Sequence, residues 1–137
     1  MTEGAGVPVA IAVSGANTHD KRLVEPTLKS LAIERPEPTS RRPQHLCMDK
    51  GYDYIDTREL IADWGYTAHI KSRGQEETER KQLPGYRARR WVVERTHSWI
   101  NRFRRLLIRW EKKVDNYTAF LHFACAWITF RAAEVVG

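Results

Sequence analysis

A chain of 137 residues and 16.0 kDa has room for one domain. Its 29% charged and 42% hydrophobic residues are an ordinary globular mixture, which excludes a disordered chain. Lys and Arg number 23 against 17 Asp and Glu, for a net charge of +6. The only two cysteines, Cys47 and Cys125, cannot build a disulfide framework. Both lie in apolar runs and are expected to be buried thiols of a reducing, cytoplasmic compartment. The apolar run from Tyr117 to Phe130 is too short to cross a bilayer and contains His122. The N-terminus lacks a basic and apolar leader pattern. Secreted mini-proteins, membrane proteins and repeat solenoids are excluded.

In chain order, Val7 to Val13 (VPVAIAV) reads as a buried strand, with Pro8 near its start where a missing donor is tolerated. Ser14 to Asn17 is a turn. Thr18 or Asp20 can cap a helix over about Lys21 to Ala32, with Leu23, Val24, Leu28 and Leu31 as its inner face. Glu34 to Gln44 has three prolines and no apolar period, so it is a loop. His45 to Asp49 (HLCMD) is a second strand ending in an acid. Lys50 to Asp53 turns the chain into a helix over about Asp53 to Trp64, stopped by Gly65. Tyr66 to Ile70 is a third strand, and Lys71 to Gly85 is a polar loop. One helix is expected over about Arg87 to Trp110 and another over about Asp115 to Val135. This order predicts an α/β fold with about three mostly parallel strands, flanking helices and a helical C-terminal third. The last helix is apolar on almost every side, which predicts burial in a larger core or a protein interface.

The charge is segregated. Arg80 to Lys113 holds 12 basic and 2 acidic residues, a local net of +10, leaving 11 basic and 15 acidic residues, −4, elsewhere. That is the footprint of a surface facing a polyanion, or of a solvated helix face. At about 100° per residue, Val92, Trp99, Phe103, Leu106 and Trp110 fall opposite Glu94, while Arg87, Arg90, Ser98, Asn101 and Arg105 fall within about 40° of it. Glu94 is thus a lone carboxylate in a basic stripe. It is either an i,i+4 partner of Arg90, worth about 0.2–0.5 kcal/mol, or a cation ligand beside phosphate-holding arginines. Asp49, at a strand's C-terminal end, is the natural second carboxylate, or else an ordinary strand-end Asp entering the Gly51 bend. Asp20 and Asp53 are the candidates for a third. A strand acid and a helix acid on an arginine face suit two-metal phosphoryl transfer.

Arg90 to Leu106 (RWVVERTHSWINRFRRL) closely resembles the signature helix of DDE-type insertion-sequence transposases, in the insertion-sequence-five-like group of the insertion-sequence-four superfamily. Two further blocks resemble that family in order and spacing: Gly6 to Ala10 with Ser14 to Asp20, and Met48 to Asp53. The resemblance implies a ribonuclease-H-like domain in which two aspartates and a glutamate hold two Mg²⁺ (or Mn²⁺) ions. Such enzymes cleave DNA by attack of water and join the freed 3′-hydroxyl to a target. It implies that Asp49 is the second aspartate, Glu94 the catalytic glutamate and Arg90 the arginine four positions before it. It further implies DNA-backbone contacts by Lys50, Arg87, Arg90, Arg95, Arg102 and Arg105, with transposon ends and target DNA as partners.

Three positions depart from the family pattern. Asn101 stands where the family has lysine, with Arg102 adjacent. Arg87, with Tyr86 adjacent, stands where it has tyrosine. The family's first aspartate lies upstream of the block that begins here, and Met1 to Gly6 has only Glu3. Residues 1–137 are therefore expected to be a single, partial catalytic domain, inactive alone. The chain is expected to be the second frame of a split element, with an upstream-frame polypeptide supplying the first aspartate, or a frameshifted relic, or the product of a late start. Homo-oligomerisation, no membrane and a nucleoid-bound cytoplasmic location are also expected. Three readings compete: an incomplete enzyme, a silent basic DNA-binding remnant, and a basic RNA-associated module. The placement of Asp49 and Glu94 weighs against the last. Trp99 reads as core, whereas Trp91 is either core or a stacking platform. Asn17, His19 and Asp20 read as turn and cap chemistry.

Overall fold

The computed structural model describes residues 1–71, Thr78 and residues 90–136, without the side chains of residue 90 and residues 134–136. The chain forms two compact units. One comprises Ser14–Lys29 and Ile33–Arg89, the other Met1–Val13, Ser30–Ala32 and Arg90–Gly137. Among the described residues the architecture is mixed α/β, with a two-stranded parallel sheet and five α-helices.

The first unit is built on a βαβ element. Strand β1 (Gln44–Asp49) pairs in parallel with β2 (Tyr66–Lys71), from Gln44 opposite Tyr66 to Asp49 opposite Lys71. Parallel strands need a crossover, and it is the helix Ile55–Asp63. Side-chain alternation divides β1 cleanly: Gln44, Leu46 and Met48 are half-buried, while His45, Cys47 and Asp49 are exposed. Cys47 is therefore an exposed thiol rather than a buried one, because it falls on the outward phase of the strand. The crossover helix buries Thr57 and Ile61, one turn apart, and packs against β2, whose Ile70 is buried. It ends where Gly65 adopts φ +73° and donates to Ala62 O at 2.7 Å, a left-handed stop that a side chain resists. A Cβ there would also meet Pro38 Cγ at 2.9 Å. The guanidinium of Arg35 lies over the Tyr66 ring and donates to Trp64 O, tying the proline-rich loop to the strand.

The helix expected over Lys21 to Ala32 is shorter and composite: a 3₁₀ turn, Asp20–Leu23, runs into α1, Val24–Lys29. Its cap is neither Thr18 nor Asp20. The His19 imidazole accepts from Lys21 N at 3.3 Å. Val24 and Leu28 form the buried face; Leu23 and Leu31 are half-buried. With α1 counted first, the crossover helix Ile55–Asp63 is α2.

In the second unit, Val7 to Val13 is irregular rather than a strand. Among the described residues its ladder contact is an isolated antiparallel bridge from Pro8 to Thr2. No strand neighbours it among the described residues, and its backbone groups pair irregularly: Val9 N with Met1 O at 3.0 Å, and Ile11 N with Ser30 Oγ at 3.1 Å. The sheet thus has two described strands instead of three.

The predicted helix from Arg87 to Trp110 is broken. Helix α3 spans Arg90–Ile100 and α4 spans Arg104–Leu107. Between them Arg102 N and Phe103 N close tight three-residue turns onto Trp99 O and Ile100 O, and Phe103 turns extended (φ −85°, ψ 99°) to start α4. Neither Gly nor Pro marks this break in the sequence; Asn101, a weak helix former, stands at its start. Helix α5, Val114–Val136, is as long as expected. Among its described side chains the buried ones are Ala124, Cys125 and Ile128, which share one stripe. Phe123, Trp127 and Phe130 stay 65, 49 and 55% exposed. Burial also pushes the Cys125 thiol above its usual range. No helix is long and apolar enough to cross a membrane among the described residues. The loop reading of Lys71 to Gly85 lies outside the described residues except Lys71, the last residue of β2, and Thr78.

Candidate nucleic-acid and metal-binding residues

Asp49 is the last residue of β1 and is exposed. Its Oδ1 accepts the Gly51 amide at 2.9 Å, capping the 3₁₀ turn Lys50–Tyr52. The turn aims the carboxylate outward, with Oδ1 committed to the cap and exposed Lys50 beside it. Tyr52 is a neighbour that sequence reading missed. Partial burial raises its phenol above the ordinary value, and the negative charges of Asp20 and Asp49 raise it further. Both carboxylates thus act on one phenol, and the two 3₁₀ turns that carry Asp20 and Tyr52 pack together. Asp53 is not a spare carboxylate: Arg58 grips its Oδ1 through Nη2 at 2.7 Å and Nε at 2.8 Å.

The dual role of Asp49 is separable. Asp49→Asn keeps an oxygen acceptor for Gly51 N–H and is expected to leave stability within about 0.5 kcal/mol of the parent, whereas Asp49→Ala removes the cap at a cost of about 1 kcal/mol. Urea unfolding of the two variants checks this. Equal losses would show that the capping bond contributes nothing.

Glu94 is exposed near the middle of α3. Opposite it, the most buried side chain is Thr96, 3% exposed, rather than the aromatic residues. Its hydroxyl reaches Gly6 O at 2.6 Å and Val92 O at 3.1 Å. Gly6 takes φ +91°, and a Cβ there would crowd Arg95 Cδ at 3.1 Å and Val92 O at 3.2 Å. The N-terminal segment is therefore latched to the helix carrying Glu94. A polar residue at the buried phase of the wheel was the one available signal. Thr96→Val preserves shape but removes the donor, and is expected to cost about 1–3 kcal/mol, with Thr96→Ser restoring most of it. Chemical denaturation of both variants checks this.

The arginines divide by what already holds them. Arg95 stacks over Trp91 at 4.4 Å, lies 5.7 Å from the Trp99 ring centroid and donates to Ala5 O at 3.2 Å. Trp91 is 41% exposed and carries Arg95 on its face; Trp99 is half-buried. Arg105 lies over Phe120 at 4.8 Å and 3.6 Å from Glu111. The break at residues 101–103 removes Arg105 from the Glu94 helix, so the continuous stripe drawn on one wheel does not exist. For the same reason Trp110 does not join an apolar face; it is 69% exposed. Arg102 is exposed in the break. Arg87 and the side chain of Arg90 lie outside the described residues. Asp49 belongs to the first unit and Glu94 to the second. No cluster of three His, Cys, Asp or Glu side chains suited to a metal occurs among the described residues.

A family model described as the transposase DDE domain matches residues 1–129. The chain belongs to the DDE transposase family. It is also 35% identical, over 140 aligned residues, to a protein of Burkholderia cepacia named as the transposase for insertion sequence element IS402. That alignment covers 98% of this chain and 64% of the relative, so the chain spans somewhat under two thirds of the relative's length. No solved structure gives a significant match. In this DDE-family chain the turn at Asp49 and the latch at Thr96 fix the local backbone at the end of β1 and along α3.

Proposed function

We propose that this chain is part of the catalytic domain of an insertion-sequence transposase that cleaves DNA and transfers the freed strand. The match of the DDE family model to residues 1–129 carries the proposal. The domain is ribonuclease-H-like, with Asp49 and Glu94 as two of its three metal-binding carboxylates. Exposed carboxylates are the hard oxygen donors that Mg²⁺ or Mn²⁺ requires. Such ions, when bound, activate the attacking oxygen and stabilise charge on the phosphodiester. The chain's own contribution is positional. Asp49 presents its carboxylate from a rigid strand end, and Glu94 presents its own from a helix latched through Thr96. Lys50, Arg87, Arg90, Arg95, Arg102 and Arg105 hold backbone phosphates without reading sequence. Arg95 does so as a member of the Trp91 stack.

The third carboxylate of such a site is not assigned among residues 1–137. The chain alone is therefore expected neither to cut nor to join an oligonucleotide duplex with Mg²⁺ or Mn²⁺. Adding the upstream-frame polypeptide is expected to restore strand transfer, and Asp49→Asn or Glu94→Gln to abolish it. Robust joining by the chain alone would overturn the incompleteness. A silent reconstituted mixture would leave a catalytically inactive DNA-binding remnant.

A further inference from the structure

The outer face of the β1–β2 ladder carries a feature that DNA chemistry does not use. His45 Nδ1 and His69 Nε2 approach to 2.8 Å, with ring centroids 4.8 Å apart and planes inclined at 52°. Both rings project from paired strands: His69 is in register with Cys47, two residues along from His45. His45 is exposed and His69 half-buried, so the pair is open to solvent. We propose that His45 and His69 form a two-imidazole site for a divalent transition ion of the copper(II) or nickel(II) type.

The argument is geometric. An imidazole nitrogen sits about 2.0–2.1 Å from a bound divalent ion such as zinc. Two bonds of that length at a right angle place the nitrogens about 2.9 Å apart, and at the tetrahedral angle about 3.3 Å apart. The observed 2.8 Å already matches the first separation and is about half an ångström short of the second, and each ring need only turn by about 45° for its lone pair to leave the hydrogen-bond line and face the ion. Right-angled coordination by nitrogen is the preference of copper(II) and nickel(II), and copper(II) heads the affinity order of the divalent first-row ions. A six-residue parallel ladder holds the two backbones in place, so little chain entropy is lost on chelation. The ion takes the lone pairs of both facing nitrogens, and the proton between the rings exchanges through solvent to the outward nitrogen of the ring that held it, so both imidazoles bind neutral.

No group of three His, Cys, Asp or Glu suited to a metal includes the pair among the described residues, so the pair supplies two of the ligands. Half the ligands of a four-ligand site imply a dissociation constant on the order of 10 µM. Bound ion would clip β1 to β2 four residues before Asp49. The site stands whether or not the chain takes part in strand transfer.

Titrating the chain with nickel(II) chloride at pH 7.5 in a calorimeter tests it. One ion per chain is expected, with affinity reduced at least 10-fold in His45→Ala and in His69→Ala and unchanged in His122→Ala. The ion should raise the melting temperature of the parent but of neither single variant. Should a variant fold poorly, copper(II) line broadening in the amide spectrum of the parent decides. Broadening centred on residues 45 and 69 supports the site. Broadening centred on His19, His97, His122 or the carboxylates overturns it, as does affinity that survives both substitutions.

Discussion

Affinity of this chain for duplex DNA is expected to fall roughly 500-fold between 50 and 200 mM salt, for about five phosphates neutralised and a log–log slope near −4.5. The basis is the +10 segment from Arg80 to Lys113, set in a chain whose remainder carries −4. Individual arginines should not contribute alike. Arg102 is exposed in the break between α3 and α4, so Arg102→Ala should lower the slope by about 0.9 with little effect on stability. Arg105 also covers Phe120, and Arg95 also stacks on Trp91, so their alanine variants should lose packing as well as slope. Fluorescence anisotropy with a labelled duplex across a salt series measures both quantities. A flat salt response would remove DNA as a partner.

Ile61→Ala should destabilise the βαβ unit by about 3 kcal/mol, within the 2–5 kcal/mol typical of truncating a fully buried aliphatic side chain. Ile61 is 0% exposed, lies one turn after buried Thr57, and sits on the helix packed against β2. For a chain of this size the loss corresponds to a melting temperature lower by about 10 °C. Ile61→Val removes one methyl group and should cost only about 0.5–1.5 kcal/mol. Thermal unfolding followed by circular dichroism separates the two. A shift below about 2 °C for the alanine variant would mean that the helix face is not the core of this unit. The consequence reaches Asp49, because the strand that presents it is held by the same ladder that α2 covers.

Much of this architecture was written in local pattern. The strand HLCMD, the stop at Gly65 and the strand after it follow from alternation, from a left-handed position only glycine accepts easily, and from short spacing. Helix α5 was legible from its length of apolar sequence, and the family from three ordered blocks around Asp20, Asp49 and Glu94. The misreadings share a cause. Val7 to Val13 has strand composition, but a strand exists only if a neighbour accepts its hydrogen bonds, and the described structure offers it Met1 and Ser30 Oγ instead. Cys47 looked buried because its neighbours are apolar, yet phase along the strand turned it outward. The long basic helix kept its period in sequence through Phe103, and an extended residue there reset the phase of every arginine after it.

The three ordered blocks thus determined the family, and residue type and spacing singled out the acids and arginines as candidates. Tertiary structure decided which partners those residues keep: Gly51 for Asp49, Gly6 for Thr96, Trp91 for Arg95, His69 for His45. Three of these four partners lie within four residues or across one ladder, but Gly6 and Thr96 stand ninety residues apart in sequence. Periodicity reports only on neighbours within a turn or a strand, so contacts made by chain return are set by packing, where the cost of burying an unpaired hydroxyl or carbonyl selects the one arrangement that satisfies both.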